Sequence, residues 1–211
     1  SADPSSSPGT LDLAGYTLKV LTLTNNGLVK LNGIPDQIDG VISNGTAANS
    51  SVEYYGSGNL APGDLSWGTN YKNLIINKPV EFDTDISLTA SSITGSGPLT
   101  VTDAASLSLN CASVTIEGNQ TYEGNLILVP TGKVTTLEST GTGSQILLKG
   151  NVSTTNTSSL TVNSKLVIGN NGGSGINQVE LLIAKGMGDK IIIDDAEIGY
   201  YLLIATLCRA F

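Results

Sequence analysis

The sequence predicts an all-β fold, a parallel β-solenoid with coils of about 20 residues. Three observations carry the prediction. First, short aliphatic triplets recur at a constant spacing of about 20 positions: Leu126-Ile127-Leu128, Ile146-Leu147-Leu148 and Leu166-Val167-Ile168. Each is fenced by Gly, Asn, Ser or Thr, which is the pattern of a strand between turns. Extended backwards, the column reaches Leu107-Ser108-Leu109, with a slip of one residue, and Ile86-Ser87-Leu88. Second, another column runs Val114-Thr115-Ile116, Val134-Thr135-Thr136 and Thr154-Thr155-Asn156 at the same spacing. Side chains alternate across a strand, so inward Val114 and Val134 set Thr115, Thr135 and Thr155 in an outward row. Third, charged residues make up 13% and aromatics 5% of the chain, which leaves Ser, Thr, Asn and Gly to cover the surface. That composition suits many short strands and turns rather than helices.

The 211 residues suffice for one sizeable domain or a run of about eight to ten such coils. A hydrophobic content of 39% argues for a folded chain. The net charge of −8, with no cluster of Lys or Arg, disfavours nucleic acid and anionic membrane surfaces, both of which require a basic patch. Histidine is absent, which removes Ser-His-Asp and Cys-His catalysis and every His-ligated metal site. Cys111 and Cys208 fall several coils apart, so no disulfide is expected between them. No apolar run reaches membrane-spanning length. The chain starts at Ser1 without a visible signal peptide, and the expectation is a mature protein or an internal fragment.

Residues 1–9 are a Ser/Pro-rich, flexible lead-in. From Thr10 the alternation begins, with strands expected at Leu11 to Leu13, Leu18 to Leu23 and Leu28 to Leu31, the last two separated by an Asn25-Asn26-Gly27 turn. Ile34 to Asn49 is less regular, with a strand at Val41-Ile42. Val52 to Gly56 is a strand. A Gly/Pro loop, Ser57 to Gly68, holds the only tryptophan, Trp67. Leu74 to Ile76 is a strand out of register with the later columns, which places an insertion in that loop. Pro79 to Phe82, Ile86 to Thr89 and Leu99 to Val101 follow. After Ile168, Gly169 to Gly175 is the strongest loop, and Val179 to Ala184 and Lys190 to Ile193 are apolar. The solenoid is expected over residues 10–185. Residues 186–211 form an atypical end, a cap or a truncation remnant, in which Asp194 to Phe211 lacks the Ser/Thr/Asn/Gly character.

Each candidate for chemistry has a plainer reading that outweighs it. Asp83 and Asp85 could share a strand face, as paired carboxylates do in glycan-cleaving enzymes, but a solvated turn explains them. Asp194-Asp195-Ala196-Glu197 could bind Ca²⁺, yet lacks the spacing of a dedicated loop. Gly169 to Gly175 could cradle a phosphate, but no Lys-Ser/Thr follows. The Thr115, Thr135, Thr155 row could be one edge of an ice-binding face, or could simply solvate the sheet. Trp67, Tyr71, Tyr54 and Tyr55 gather near the long loop, where they could stack on sugars or cover an end of the core. Asn-x-Ser/Thr sequons at Asn44, Asn49, Asn119, Asn151 and Asn156 are what this composition supplies, and no glycosylation is inferred. Trp67, Tyr71, Thr115, Thr135 and Thr155 are thus the candidate surface-binding residues, and no catalytic residue, metal or cofactor is expected.

Gly118-Asn119-Gln120-Thr121-Tyr122-Glu123-Gly124-Asn125-Leu126 resembles the coil start of filamentous-haemagglutinin-type bacterial exoproteins, and so does the rhythm from Thr135-Thr136-Leu137 to Leu160-Thr161-Val162. Val52 to Gly58 followed by Tyr71 to Ile76 resembles a companion pattern of large bacterial surface proteins. The resemblance covers roughly Thr10 to Gly173, is of repeat type, and is lost after Gly175. It implies a right-handed parallel β-helix in a secreted or cell-surface, adhesin-like protein without catalytic residues. The function expected is therefore a structural and adhesive segment, with glycans or proteins as partners and end-to-end self-association through open sheet edges. A β-helical polysaccharide lyase or hydrolase is the alternative, and an ice-binding protein a further one.

Overall fold

The structure is a computed structural model. It describes residues 9–129, 134–154, 159–168, 181–182 and 191–193. The chain winds into a parallel β-solenoid of about seven turns, with coils of about 21 residues. The first two coils contribute β1 (Thr10–Asp12), β2 (Leu18–Asn25), β3 (Leu28–Leu31) and β4 (Ile38–Asn44). The third has β5 (Ser51–Tyr54) and a 3₁₀ turn at Pro62–Asp64. Then come three-stranded coils: β6 (Asn73–Ile76), β7 (Val80–Phe82) and β8 (Ile86–Thr89); β9 (Ser92–Gly95), β10 (Leu99–Val101) and β11 (Ser106–Asn110). β12 (Ser113–Ile116), β13 (Gln120–Tyr122) and β14 (Asn125–Leu128) make the next coil, and β15 (Val134–Ser139), β16 (Ile146–Leu148) and β17 (Val152–Thr154) the one after. β18 (Ser159–Val162), β19 (Leu166–Ile168), β20 (Leu181–Leu182) and β21 (Ile191–Ile193) complete the stack.

All pairings are parallel and link equivalent strands of successive coils. A nine-stranded long sheet runs β1-β3-β5-β6-β9-β12-β15-β18-β20, a six-stranded sheet runs β7-β10-β13-β16-β19-β21, and a four-stranded sheet runs β8-β11-β14-β17. β2 and β4 form a two-stranded sheet. It joins the side of the four-stranded sheet through the third coil, where Asn44 Nδ2 donates to Asn70 O at 2.9 Å and Asn70 bridges Thr89. Among the described residues no helix is long and apolar enough to cross a membrane.

Strand alternation explains the core. In the central coils one face of each strand is buried and, apart from exceptions such as Gln120 and Tyr122 of β13 and Thr135 of β15, aliphatic: Ile93, Val114 and Leu137 in the long sheet, Val80, Leu99 and Ile146 in the six-stranded one, Leu88, Leu109 and Leu128 in the four-stranded one. Each such side chain adds about 1.5–3 kcal/mol of burial. The corners are held by Asn, Asp and Ser side chains that bond the next coil. Asp85 Oδ1 accepts from Ser106 N–H at 2.8 Å, Asn125 Nδ2 donates to Ser106 Oγ at 3.3 Å, and Asn125 Oδ1 accepts from Asn151 N–H at 3.3 Å. Asn77 and Asn119 repeat the device toward Ser96 and Gln145. The richness in Asn and Ser thus serves the coil-to-coil hydrogen bonds.

The register corrects three expectations. Leu126–Leu128 does not share a column with Ile146–Leu148. β14 pairs with β11 and β17, whereas β16 pairs with β13 and β19. The steps across the corner ladder are 19 and 21 residues but then 26, so a fixed spacing of about 20 jumps from one sheet to another at the long coil. The Ile86, Leu107, Leu126 alignment and the Ile146, Leu166 alignment both hold. The Thr115, Thr135, Thr155 row does not form: Thr115 pairs with Glu138, and Val114 with Leu137. In β15 the phase is inverted, with Val134 49% exposed and Thr135 fully buried. Finally, Leu74–Ile76 is in register, Leu74 pairing with Ile93 and so continuing the Val114 column. The loop ahead of it is a coil whose sides carry isolated bridges at Leu60 and Asn70 in place of strands.

Candidate functional site

The candidate aromatics face inward. Trp67 is 4% and Tyr71 3% exposed, and both join the continuous core. They close the third coil through hydrogen bonds. Tyr71 Oη donates to Gly68 O and lies 3.3 Å from Tyr54 Oη, which accepts from Trp67 N–H at 3.1 Å, and Trp67 Nε1 donates to Asn44 Oδ1 at 3.2 Å. Burial pushes the Tyr54 hydroxyl up to about 12 and the Tyr71 hydroxyl well above its ordinary range. Thr135 Oγ1 donates to Cys111 O at 2.8 Å inside the stack. Of the candidate threonines, Thr115 stands outward and half-buried on the long sheet, and Thr155 lies outside the described residues. Gly169–Gly175 and Asp194–Glu197 lie outside them too. Asp83 is exposed, and Asp85 is engaged in the corner ladder.

The outward face of the long sheet brings together two groups that sequence reasoning did not assemble. On the first coils, outward positions align Asp12, Lys30 and Glu53. Lys30 Nζ sits 3.5 Å from a Glu53 carboxylate oxygen and 4.6 Å above the Tyr55 ring. Tyr55 Oη donates to Asp12 Oδ1 at 2.6 Å, and Asn77 Nδ2 donates to Glu53 Oε1 at 2.9 Å. The Tyr55 hydroxyl holds the Asp12 carboxyl below its usual range, and the same bond pushes the Tyr55 hydroxyl up. Each charged or phenolic group is thus bound to another across coils. The signal for this cluster was available, since the outward positions of successive strands carry opposite charges, but it needed the register.

Farther along, two outward columns carry hydroxyls. One contains Ser92, Ser113 and Thr136; the other contains Thr94 and Thr115. Within a strand the two columns lie two residues apart, about 6.6 Å, and successive coils are about 4.8 Å apart. Ser92 Oγ donates to Asn73 Oδ1 at 3.1 Å, while the hydroxyls of Thr94, Ser113, Thr115 and Thr136 make no hydrogen bond to described residues and face outward. Ile75 and Glu138 border the Thr94–Thr115 pair.

A second feature missed from sequence is buried Lys78. Its side chain reaches back past one coil, with Nζ donating to Asn32 O at 2.6 Å and to Gly33 O at 3.5 Å. Desolvation lowers its affinity for the proton, opposed by the Asp64 carboxylate. Between Asn77 and Pro79 it looks like an ordinary turn lysine. Among the described residues no group of three or more Cys, Asp and Glu is placed to hold a metal ion.

Fold and faces together define a parallel β-solenoid of the repeat class, with a mainly apolar interior and a largely polar outer wall. No protein-family model, curated protein or solved structure matches this chain.

Proposed function

We propose that the chain is a structural and adhesive segment of a secreted or cell-surface bacterial exoprotein of the filamentous-haemagglutinin type, and that it performs no catalysis. The observation that supports this most directly is the outer face of the long sheet. There, hydroxyl columns with open hydrogen-bonding capacity sit on a rigid stack of coils. The stack supplies reach and stiffness, because every coil is tied to its neighbours by parallel ladders and corner side chains. The hydroxyl face supplies contact with glycans or proteins on another surface. The charged cluster of Asp12, Lys30, Glu53 and Tyr55 serves to bind the first coils together.

The test is binding of the purified chain to glycan arrays and to glycoprotein-coated surfaces, with Thr94→Lys and Thr115→Lys as face variants. Loss of binding in variants of unchanged circular dichroism supports the reading. Binding that ignores both variants removes the hydroxyl face from it. Cleavage of a uronate polymer by the unmodified chain, abolished by Lys30→Ala, replaces it with the lyase reading.

A second reading draws on the same columns. Ser92, Thr94, Ser113 and Thr115 form a two-by-two array of paired hydroxyl positions, and an ice-binding face would require such columns. Thermal hysteresis in the chain, lost in Thr115→Lys, would select it, and ordinary freezing behaviour rejects it.

A further inference from the structure

The hydroxyl face of the long sheet has a direction. One column runs Ser92, Ser113, Thr136 and Thr161 over four successive coils, and the second holds Thr94 and Thr115. Along the stack the longer column spans three strand spacings, about 14 Å, whereas the two columns lie only about 6.6 Å apart across it. The array is therefore longer along the solenoid axis than across it, and its repeat is the coil spacing.

Charge around the array has one sign. Glu138 stands beside Thr115 on the next coil, and Glu117 is exposed at the corner two residues past Thr115. Among the described residues neither carboxylate has an ion pair or a side-chain hydrogen bond. The strands β9, β12 and β15 hold no basic residue. The cation of the Thr94–Thr115 column, Lys30, lies three coils before Thr94 and is already held by Glu53 and the Tyr55 ring. An anionic ligand on these hydroxyls would meet two carboxylates and no counter-charge, on a chain of net charge −8.

The chemistry of the face also selects for repetition. The same three strands offer no aromatic ring and no Arg, the anchors that concentrate energy in protein interfaces. A hydrogen bond between two neutral hydroxyls replaces bonds that both already make to water, so each contributes about 1 kcal/mol or less. A single sugar would be held too weakly by such contacts. A polymer whose hydroxyls recur along its length engages several coils at once, and each contact after the first is intramolecular. Resting on the adhesive reading of this face, we propose that its ligand is an uncharged, extended polysaccharide lying along the solenoid axis on the Ser92–Thr161 and Thr94–Thr115 columns, and that Glu117 and Glu138 exclude polysaccharides bearing uronate or sulfate.

The test uses the full chain and two matched series, neutral glucans and polyuronates, each from disaccharide to octasaccharide, in calorimetry at low and physiological salt. Neutral binding should strengthen by about tenfold or more over the series. Polyuronate binding should be about tenfold weaker at low salt, a gap that narrows as salt screens the carboxylates. Glu117→Gln combined with Glu138→Gln should close the gap and leave neutral binding unchanged, with circular dichroism reporting that the coils are intact. Polyuronates bound as tightly as glucans, a gap untouched by the double variant, or affinity that does not grow with length overturns the proposal. Where such binding is still weakened by Thr94→Val with Thr115→Val, which keep shape and strip the hydroxyls, the adhesive reading of the face stands. Binding untouched by that pair removes the face and both readings with it. Binding of neither series also overturns the proposal, and a glycoprotein then bound through Thr115 identifies a protein as the partner.

Discussion

The central coils, β6 to β17, and the first three, β1 to β5, solve the same problem by different means. A central coil has three short strands, mostly aliphatic side chains inside, with Gln120 and Thr135 as isolated buried polar groups, and Asn or Ser at the corners. The first coils carry two strands or fewer apiece in place of three, and their remaining sides are irregular. Their interior holds Gln37, Ser50, Asn25 and Lys78 among Tyr54, Trp67 and Tyr71. Gln37 Oε1 accepts from Asn32 N–H at 2.9 Å, Gln37 N–H donates to Ser66 Oγ at 3.0 Å, and Ser66 Oγ donates to Ile34 O at 2.7 Å. Gly33 lies at φ +66°, where a Cβ would stand 2.5 Å from Leu60 Cδ1 and 3.3 Å from Lys78 Nζ. A regular coil satisfies its backbone by stacking. An irregular one leaves carbonyls and N–H groups for which specific side chains must be brought in. The outer wall differs too: Leu21 and Val41 stand 91% and 67% exposed on the two-stranded sheet, where a bulge between Lys19 and Thr22 and the Lys19–Asp39 ion pair blunt the strand edge.

The comparison predicts that single substitutions cost most where packing alone holds the fold. Leu126→Ala removes a fully buried side chain stacked between Leu107 and Val152, and should lower unfolding free energy by about 2–5 kcal/mol in urea titrations. In the first coils the largest effect is expected at Lys78. Lys78→Met keeps the aliphatic stem and strips the Asn32 and Gly33 carbonyls of their donor, with an expected loss of about 1–3 kcal/mol. Equal stability of Lys78→Met and the unmodified chain would erase the distinction between the two regions.

This division also decides how much was legible in the sequence. Periodicity is visible where coils are regular, and the architecture followed from Ile86, Leu107 and Leu126, and from Ile146 and Leu166, all truly stacked. It misled where one coil is longer than the rest. There Leu126 and Ile146 fell about 20 apart on different sheets, and Thr135 turned inward. Candidate site residues fared worse, because composition cannot say which way an aromatic points. Trp67 lies in a loop rich in Gly and Pro and Tyr71 just after it, yet that loop is a wall of the solenoid, and these aromatics fill the space strands leave empty. Lys78 and the Asp12–Tyr55 contact bring together residues 46 and 43 positions apart, which no local pattern reports.

The corner ladders should give intermediate effects, spread over many sites. Asn125→Ala breaks the bonds to Ser106 Oγ and Asn151 N–H at an exposed corner, and a loss of about 0.5–1.5 kcal/mol is expected. Combining it with Asn77→Ala, which lies on another corner, should give an additive loss. A markedly larger combined effect in the same urea titrations would mean that the ladders act as one network rather than as local staples.

The smallest effect expected is a pH response confined to the first coils. Asp12 Oδ1 accepts from Tyr55 Oη and, at 3.0 Å, from Ala14 N–H. Its folded pKa lies below the usual 3.8, so its contribution is complete above that value and is lost as pH falls through the lower, folded one. Tyr55 has the opposite sign. Its folded pKa lies above 10.0, so its share is complete below that value and is lost as pH rises through the higher one. The contact should therefore hold across the whole neutral range and open at both extremes. Because Asp12 is solvent-exposed, the change should be local: hydrogen exchange at Ala14 should quicken at acid pH relative to Leu107 in the central stack, beyond the intrinsic pH dependence. Asp12→Asn keeps an oxygen acceptor but not the charge, and should abolish the acid response while leaving exchange at Leu107 unchanged. If Ala14 and Leu107 loosen together in the unmodified chain, the first coils are as firmly held as the central ones, and the irregular region is part of a single cooperative unit.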